Sequence, residues 1–428
     1  MTLASSLTLP CGAVLPNRLS KAAMTEGLAD PQGLPTPELT RLYKIWAEGG
    51  AGMLLSGNIQ IDADHLERPG NVIIDRELTE DERERFREWT AAGTSNGNHF
   101  WAQISHAGRQ CFKIVNPHPK APSAVKVGIP GGQFGEPVAL EAHEIEEVIA
   151  GFVRAVRTCK KVGFTGVQIH GAHGYLISQF LSPRTNIRED EWGGSLENRA
   201  RLLLEIIRQS REAVGPDFPI SVKLNSADFQ KGGFAFEDSV TVVGWLEELG
   251  VDLIEVSGGT YEQPKLLGID GMEPADNPDV KPSTAKREAY FVDFAKAMKD
   301  ACKVPLMVTG GFRSKAAMEQ ALESGAADLI GLGRPLCADP DGPKRLLEGE
   351  EALHRYEDEL SLFPAPLQFL TGIKALRAAA SFAVQFWFYG QIYALGRTGK
   401  ADKDLSVFAA WRQTEATHKG WLKRRRGG

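Results

Sequence analysis

The feature that most constrains this chain is an alternation. Short apolar runs recur eight times, and each is followed by a helical pattern. The first run, Leu19–Met24, leads to a predicted helix over Glu38–Glu48 that Gly49-Gly50 ends, as glycine just past a helix commonly does. Further runs lie at Met53–Ile59, Phe100–Ser105, Gly166–Ile169, Pro219–Asn225, Asp252–Ser257, Val304–Thr309 and Asp328–Gly331. Helices are predicted over Thr79–Thr90, Glu144–Lys161, Glu197–Val214, Phe236–Leu249, Lys286–Ala301, Ser314–Glu323 and Pro343–Leu347. A strand that returns through a crossover helix pairs in parallel. Eight such units select a closed (β/α)8 TIM barrel of the α/β class over an open sheet. An open doubly wound sheet would need a glycine-rich turn directly after its first strand, where this chain has Ala22-Ala23-Met24-Thr25. The stretch Cys111–Leu140 is rich in proline and glycine and reads as loop. The barrel is expected over residues 1–350, and residues 351–428 as a helical C-terminal extension.

Charge also divides the chain, within the extension. After residue 396 there are 9 Lys/Arg against 3 Asp/Glu; before it there are 40 against 52. The acidic body gives no reason to expect nucleic-acid binding. Within the extension, Ala378–Gly396 is 19 residues without a charge, a length that just reaches a membrane span. Gln385, Gly390 and Gln391 near its middle weigh against a lone lipid helix. The extension is therefore expected to pack on the barrel or on a second subunit of a homo-oligomer. Membrane contact through this segment and the basic end Lys423-Arg424-Arg425-Arg426 is the less favoured alternative. The five cysteines are scattered and form no C-x-x-C pair, which reads as reduced thiols of a cytoplasmic protein, with no metal knuckle. The N-terminus lacks the pattern of a secretory signal.

In such barrels the active site lies just past the C-terminal ends of the strands. Strand seven ends in Gly310-Gly311-Phe312-Arg313 and strand eight in Gly331-Leu332-Gly333-Arg334. Glycines let backbone N–H groups close on phosphate oxygens, and arginine adds charge. Strand four ends in His170-Gly171-Ala172-His173-Gly174-Tyr175. Two neutral imidazoles can donate to one carbonyl or phenolate oxygen, and a tyrosine beside them can supply a proton. The H-x-x-H spacing could also ligate zinc, but the glutamate of the usual zinc helix is absent. Gln103 on strand three places an amide in an apolar run, able to donate and accept at the edge of a flavin or nucleobase. Lys223 on strand five needs an anionic partner or a depressed pKa. From the strand alone, a structural salt bridge and a Schiff-base lysine are equally open.

Together these segments carry a family resemblance. PNRLSKAAMTE, WAQISHAGRQ, HGAHGYLISQFLSPRTNIREDEWGGSLENRARLL, VTGGFR and GLGRP resemble the Old Yellow Enzyme family of FMN-dependent ene-reductases, collinearly from about residue 5 to 350. The resemblance implies that Ala22, Ala23, Met24 and Thr25 contact the flavin, with Thr25 beside O4 and N5. It implies that Gln103 pairs with the pyrimidine edge and that Lys223 lies near N1 and O2, which would choose among the readings left open above. Asn58, at the end of strand two, stands where the family has a small residue against the flavin. Gly310, Gly311, Gly333 and Arg334 match the phosphate cradle. His170 and His173 match the pair that binds the substrate carbonyl, and Tyr175 matches the proton donor. The implied activity is ping-pong reduction of the C=C bond of an enone, with bound FMN reduced by NADPH or NADH. The larger iron–sulfur relatives are not matched after the barrel, where Cys337 is the one cysteine. A flavin-binding electron-transfer or sensing protein, and a Schiff-base barrel lyase, are the alternatives.

Overall fold

The eight expected strands close into one parallel sheet in the computed structural model, which describes residues 1–129, 132–257, 297–363 and 365–427. A short antiparallel hairpin comes first, β1 (Leu7–Thr8) with β2 (Val14–Leu15). The barrel begins with β3 (Leu19–Lys21) and β4 (Met53–Gln60), and β5 (Val72–Ile73) adds to the rim of β4. It continues with β6 (His99–Ser105). The excursion after β6 is mostly irregular but contains a two-residue parallel pair, β7 (Lys120–Ala121) and β8 (Val138–Ala139). The remaining staves are β9 (Gly166–Gly171), β10 (Ile220–Asn225), β11 (Leu253–Ser257), β12 (Leu306–Thr309) and β13 (Leu329–Leu332). Pairing of β13 with β3 and of β3 with β4 closes the ring.

The helices are α1 (Pro37–Glu48), α2 (Glu80–Gly93), α3 (Ala142–Lys161), α4 (Leu176–Leu181), α5 (Leu196–Val214), α6 (Phe236–Glu248) and α7 (Lys315–Glu323). They start where side chains satisfy their first N–H groups. Thr36 accepts from Leu39 N, and Thr79 and Glu82 form a reciprocal box at the start of α2. Most of the helix expected at Lys286–Ala301 lies outside the described residues; residues 297–301 are helical. The short α4 was not anticipated: it follows strand four directly, before the expected outer helix α5.

Side chains two apart on a strand share a face, and this sets a gradient inside the barrel. Toward the N-terminal ends of the strands the interior is apolar: Met53, Leu55, Trp101, Leu253, Met307 and Leu329 cluster with Leu7, Leu9 and Leu15 of the hairpin. The hairpin thus plugs that end. Two residues further along, Trp101 gives way to Gln103 and Leu253 to Glu255, and Lys223 follows Ser221. Polar groups therefore collect in the upper half, toward the end where the site is expected.

After β13 come the short α8 (Pro335–Ala338) and α9 (Gly342–Leu347), where the eighth barrel helix was expected, and then the helices of the C-terminal region, α10 (Lys374–Thr398) and α11 (Val407–Gly427). The uncharged segment expected at Ala378–Gly396 lies within α10. That helix buries Trp387, Phe388, Ile392, Tyr393 and Leu395 against the rest of the fold, each worth about 1.5–3 kcal/mol if fully transferred from water. Its central polar residue has a structural use: Gln391 Nε2 donates to Asp402 O at 2.7 Å. Gly390 lets Leu405 and Ala410 come close as α11 folds back. The basic end is also engaged. Trp421 Nε1 donates to Ala29 O, Arg425 to Pro31 O and Ala63 O, and Arg426 to Ile114 O. Among the described residues, no helix is long and apolar enough to cross a membrane.

Candidate active site

His170, next to last in β9, is in register with Lys223 on β10. His173 follows in a left-handed conformation, φ 60°, which costs an L residue roughly 1 kcal/mol or more. Two contacts hold it there. Its N–H donates to Asn225 Oδ1 at 3.1 Å, and its Nε2 lies 2.6 Å from Ser257 Oγ. The ring centroids of His170 and His173 are 5.2 Å apart, and the Tyr175 ring stands 4.9 Å from His170, edge to face. All three expected residues are thus brought together. Ala172 N donates to His170 Nδ1, so the neutral ring carries its proton on Nε2 and can donate from there. Burial holds both imidazoles far below their usual value, helped at His170 by the neighbouring His173 and then by the Lys223 charge, and at His173 by the Lys223 charge. Both are neutral at pH 7, as donors to a carbonyl oxygen need to be if they are not to add charge.

Inside the barrel, Gln103 Nε2 donates to Gln168 Oε1 at 2.6 Å, and Gln168 Nε2 to Glu255 Oε2 at 2.9 Å. Lys223 Nζ lies 2.9 Å from Glu255 Oε1. The salt-bridge reading of Lys223 therefore holds, and an amine committed to a carboxylate is a poor Schiff-base nucleophile. Asn58 is in register with Gln103 on the adjacent strand. Sequence reasoning passed over Gln168, Glu255 and Ser257. The signal was present: Gln168 and Glu255 interrupt apolar strands just as Gln103 and Lys223 do.

The expected flavin-binding residues lie along the barrel mouth. Ala22 is buried and bonds to Leu332 O, while Ala23, Met24 and Thr25 are partly open. Gly310 and Gly311 have φ values of 139° and 77°, conformations that L side chains rarely adopt. A Cβ at Gly333 would meet only Met24 Sδ, 3.9 Å away. Beside this open face stand Arg334 and the buried Arg313, whose Nε has no hydrogen-bond partner among the described residues. Both face a single carboxylate, Glu357, at 3.9 Å and 2.6 Å respectively. Two guanidinium groups against one carboxylate leave positive charge next to the open space at Gly333. This donor set fits a phosphate, and the amide and ammonium groups below fit a flavin ring. Glu357, from a short 3₁₀ turn, had no sequence signal.

A second cluster was missed. Asp62, His65 and His106 place their ligand atoms within 4.8 Å of one another. Lys120 N donates to His65 Nε2 and Gly108 N donates to His106 Nδ1. With those nitrogens accepting, the proton sits on the other nitrogen of each ring. Both face Asp62 Oδ2, at 2.8 Å from His65 and 3.7 Å from His106. A metal ion would have to displace both protons and leave each ring's far nitrogen against an N–H donor. The cluster suits a carboxylate that gathers two imidazole N–H groups better than it suits a cation.

Comparison with known proteins agrees with this geometry. A profile described as the NADH:flavin oxidoreductase / NADH oxidase family matches residues 11–352. The NADH-dependent flavin oxidoreductase iliE of Neonectria sp. (strain DH2) is 38% identical over 354 residues, 79% of this chain but 46% of that protein. The NADH-dependent flavin oxidoreductase iccE of Talaromyces variabilis is 35% identical over 418 residues, 93% of this chain and 99% of that protein. The solved Old Yellow Enzyme homologue from Zymomonas mobilis superposes with a TM-score of 0.68 at 26% identity, covering 83% of this chain and 96% of the other. A barrel of this topology and a match spanning most of its length lead to one assignment: the chain belongs to the NADH:flavin oxidoreductase / NADH oxidase family, that of Old Yellow Enzyme, and is an oxidoreductase.

Proposed function

We propose that this protein binds FMN and uses NADH to reduce the C=C bond of α,β-unsaturated carbonyl compounds. The observation that carries the reading is the trio at the end of β9: two neutral imidazoles in ring contact, with Tyr175 against one of them. His170 and His173 bind the carbonyl oxygen and stabilise the negative charge that grows on it, a contribution of roughly 3 kcal/mol for one such donor. Tyr175 holds the proton delivered to the α-carbon. FMN, when bound, supplies the hydride. Ala22, Ala23, Met24, Thr25, Asn58, Gln103 and Lys223 hold its ring, and Gly310, Gly311, Gly333 and Arg334 its phosphate. Glu255, 2.9 Å from its Nζ, holds Lys223 in place. NADH is favoured over NADPH because the named relatives are NADH-dependent.

The test is an anaerobic incubation of purified protein with NADH and 2-cyclohexenone, with identification of the cofactor released by heat. FMN together with cyclohexanone supports the reading. FAD, or an enone left intact while NADH is oxidised only on admission of oxygen, contradicts it.

A further inference from the structure

Thr25 is connected to the C-terminal extension by an unbroken chain of hydrogen bonds. Its Oγ1 donates to Glu67 Oε2 at 2.8 Å. The other oxygen of that carboxylate, Oε1, accepts from Arg68 Nε at 2.9 Å and from an Arg68 terminal nitrogen at 2.8 Å. The same terminal nitrogen donates to Tyr389 Oη on α10 at 2.7 Å. Glu67 is 3% exposed, so water offers it no competing donors. The guanidinium also lies 4.2 Å from the centre of the Tyr389 ring. One turn further along α10, the hydroxyl of Tyr393 comes so close to Gly27 that a Cβ there would lie 3.2 Å from it. Trp421 of α11 bonds to Ala29 O and Asp30 O in the same loop. The two helices therefore clamp the segment that follows β3, and they reach Thr25 through Glu67.

A hydroxyl has one proton. With that proton given to Glu67, Thr25 can present only lone pairs to a group above it. We propose that Glu67 is a positioning residue that keeps the Thr25 hydroxyl from donating to the flavin, and that Arg68 and Tyr389 tie this lock to the C-terminal helix. The inference rests on the reading that Thr25 faces the bound flavin. A donor to an electron-rich reduced ring stabilises the reduced state, so withholding it lowers the midpoint potential. The extension is thereby linked to the cofactor through Thr25. Any movement of α10 would be felt first at Arg68.

The test is the midpoint potential and visible spectrum of the flavin-loaded full chain, in wild type, Thr25→Ala, Glu67→Ala and the double variant. Glu67→Ala is expected to raise the potential, because the freed Thr25 hydroxyl turns to the flavin. In the Thr25→Ala background the same change is expected to have a much smaller effect. An equal rise in both backgrounds would mean that Glu67 acts by its charge alone, and would overturn the proposal. A Glu67→Ala protein that binds FMN with the potential and spectrum of wild type would also overturn it, because the freed Thr25 hydroxyl would then not reach the flavin. Failure of the wild-type chain to bind FMN at all would instead defeat the functional reading, and the proposal with it. Tyr389→Phe keeps the ring and serves if Glu67→Ala does not fold. It is expected to raise the potential by a smaller amount, and a value equal to wild type would sever the helix from the lock.

Discussion

Lys223 and Glu255 face each other in register across β10 and β11, with Nζ and Oε1 2.9 Å apart and both side chains almost wholly buried. Such a pair is poor at stabilising a fold on balance, but breaking it strands a charge. Glu255→Ala is expected to cost about 3–5 kcal/mol, seen as a lower urea midpoint. Exchanging both residues for Met and Leu should recover most of that loss. A single variant as stable as wild type would mean the charges are not paired in solution.

His170→Ala and His173→Ala should each weaken binding of a phenol by about a hundredfold, the value of one lost oxyanion donor. The flavin should stay bound, since neither side chain belongs to the phosphate cradle. A phenol titration of the flavin absorbance reads both quantities at once. Unchanged affinity in both variants would remove the pair from the substrate site.

Acid should destabilise the protein within a defined window. Burial, then the nearby His65, puts His106 at about 4, and burial, then Arg68, puts His418 at about 4. Both lie below the ordinary 6.5, so on acidification the unfolded chain takes up protons first. Their contribution is complete above pH 6.5 and is lost as the pH falls toward 4. His106 alone contributes a slope of up to about 1.4 kcal/mol per pH unit. Urea denaturation at pH 7.5, 6.5 and 5 should show a flat region followed by a decline. His106→Gln should make the decline shallower. A constant midpoint down to pH 5 would count against the neutral, buried state of these rings.

The barrel was legible because its signal is repeated. Eight apolar runs separated by helical patterns leave little freedom, and observed boundaries such as Leu196–Val214 against the expected Glu197–Val214 differ by a residue or two. The first stave is the exception. Leu19–Lys21 is half the expected length, because after Lys21 the backbone leaves the sheet and Thr25 turns to Glu67. The hairpin plug was illegible, since strands of two residues have no period to detect. At the site, His170, His173 and Tyr175 were readable because they are adjacent in sequence and their proximity is local. Glu67, Glu357 and Ser257 were not, because each acts through a contact made by the folded chain: Ser257 is 84 residues from His173. Gln391 shows the limit of composition. A polar residue in an uncharged segment spoke against lipid, but its partner, Asp402 O, is visible only once α10 and α11 fold together.

The most direct test of the central claim is stopped-flow spectroscopy of the two half-reactions in Tyr175→Phe. Protein loaded with FMN would be reduced by NADH, freed of nicotinamide, and mixed anaerobically with 2-cyclohexenone while flavin absorbance is followed. The hydroxyl is needed only where a carbon is protonated. Reduction by NADH should therefore proceed at close to the wild-type rate, and reoxidation by the enone should slow by about a hundredfold or more. Equal slowing of both steps, or reoxidation as fast as in wild type, would contradict the assignment of Tyr175 as the proton donor of an enone reductase.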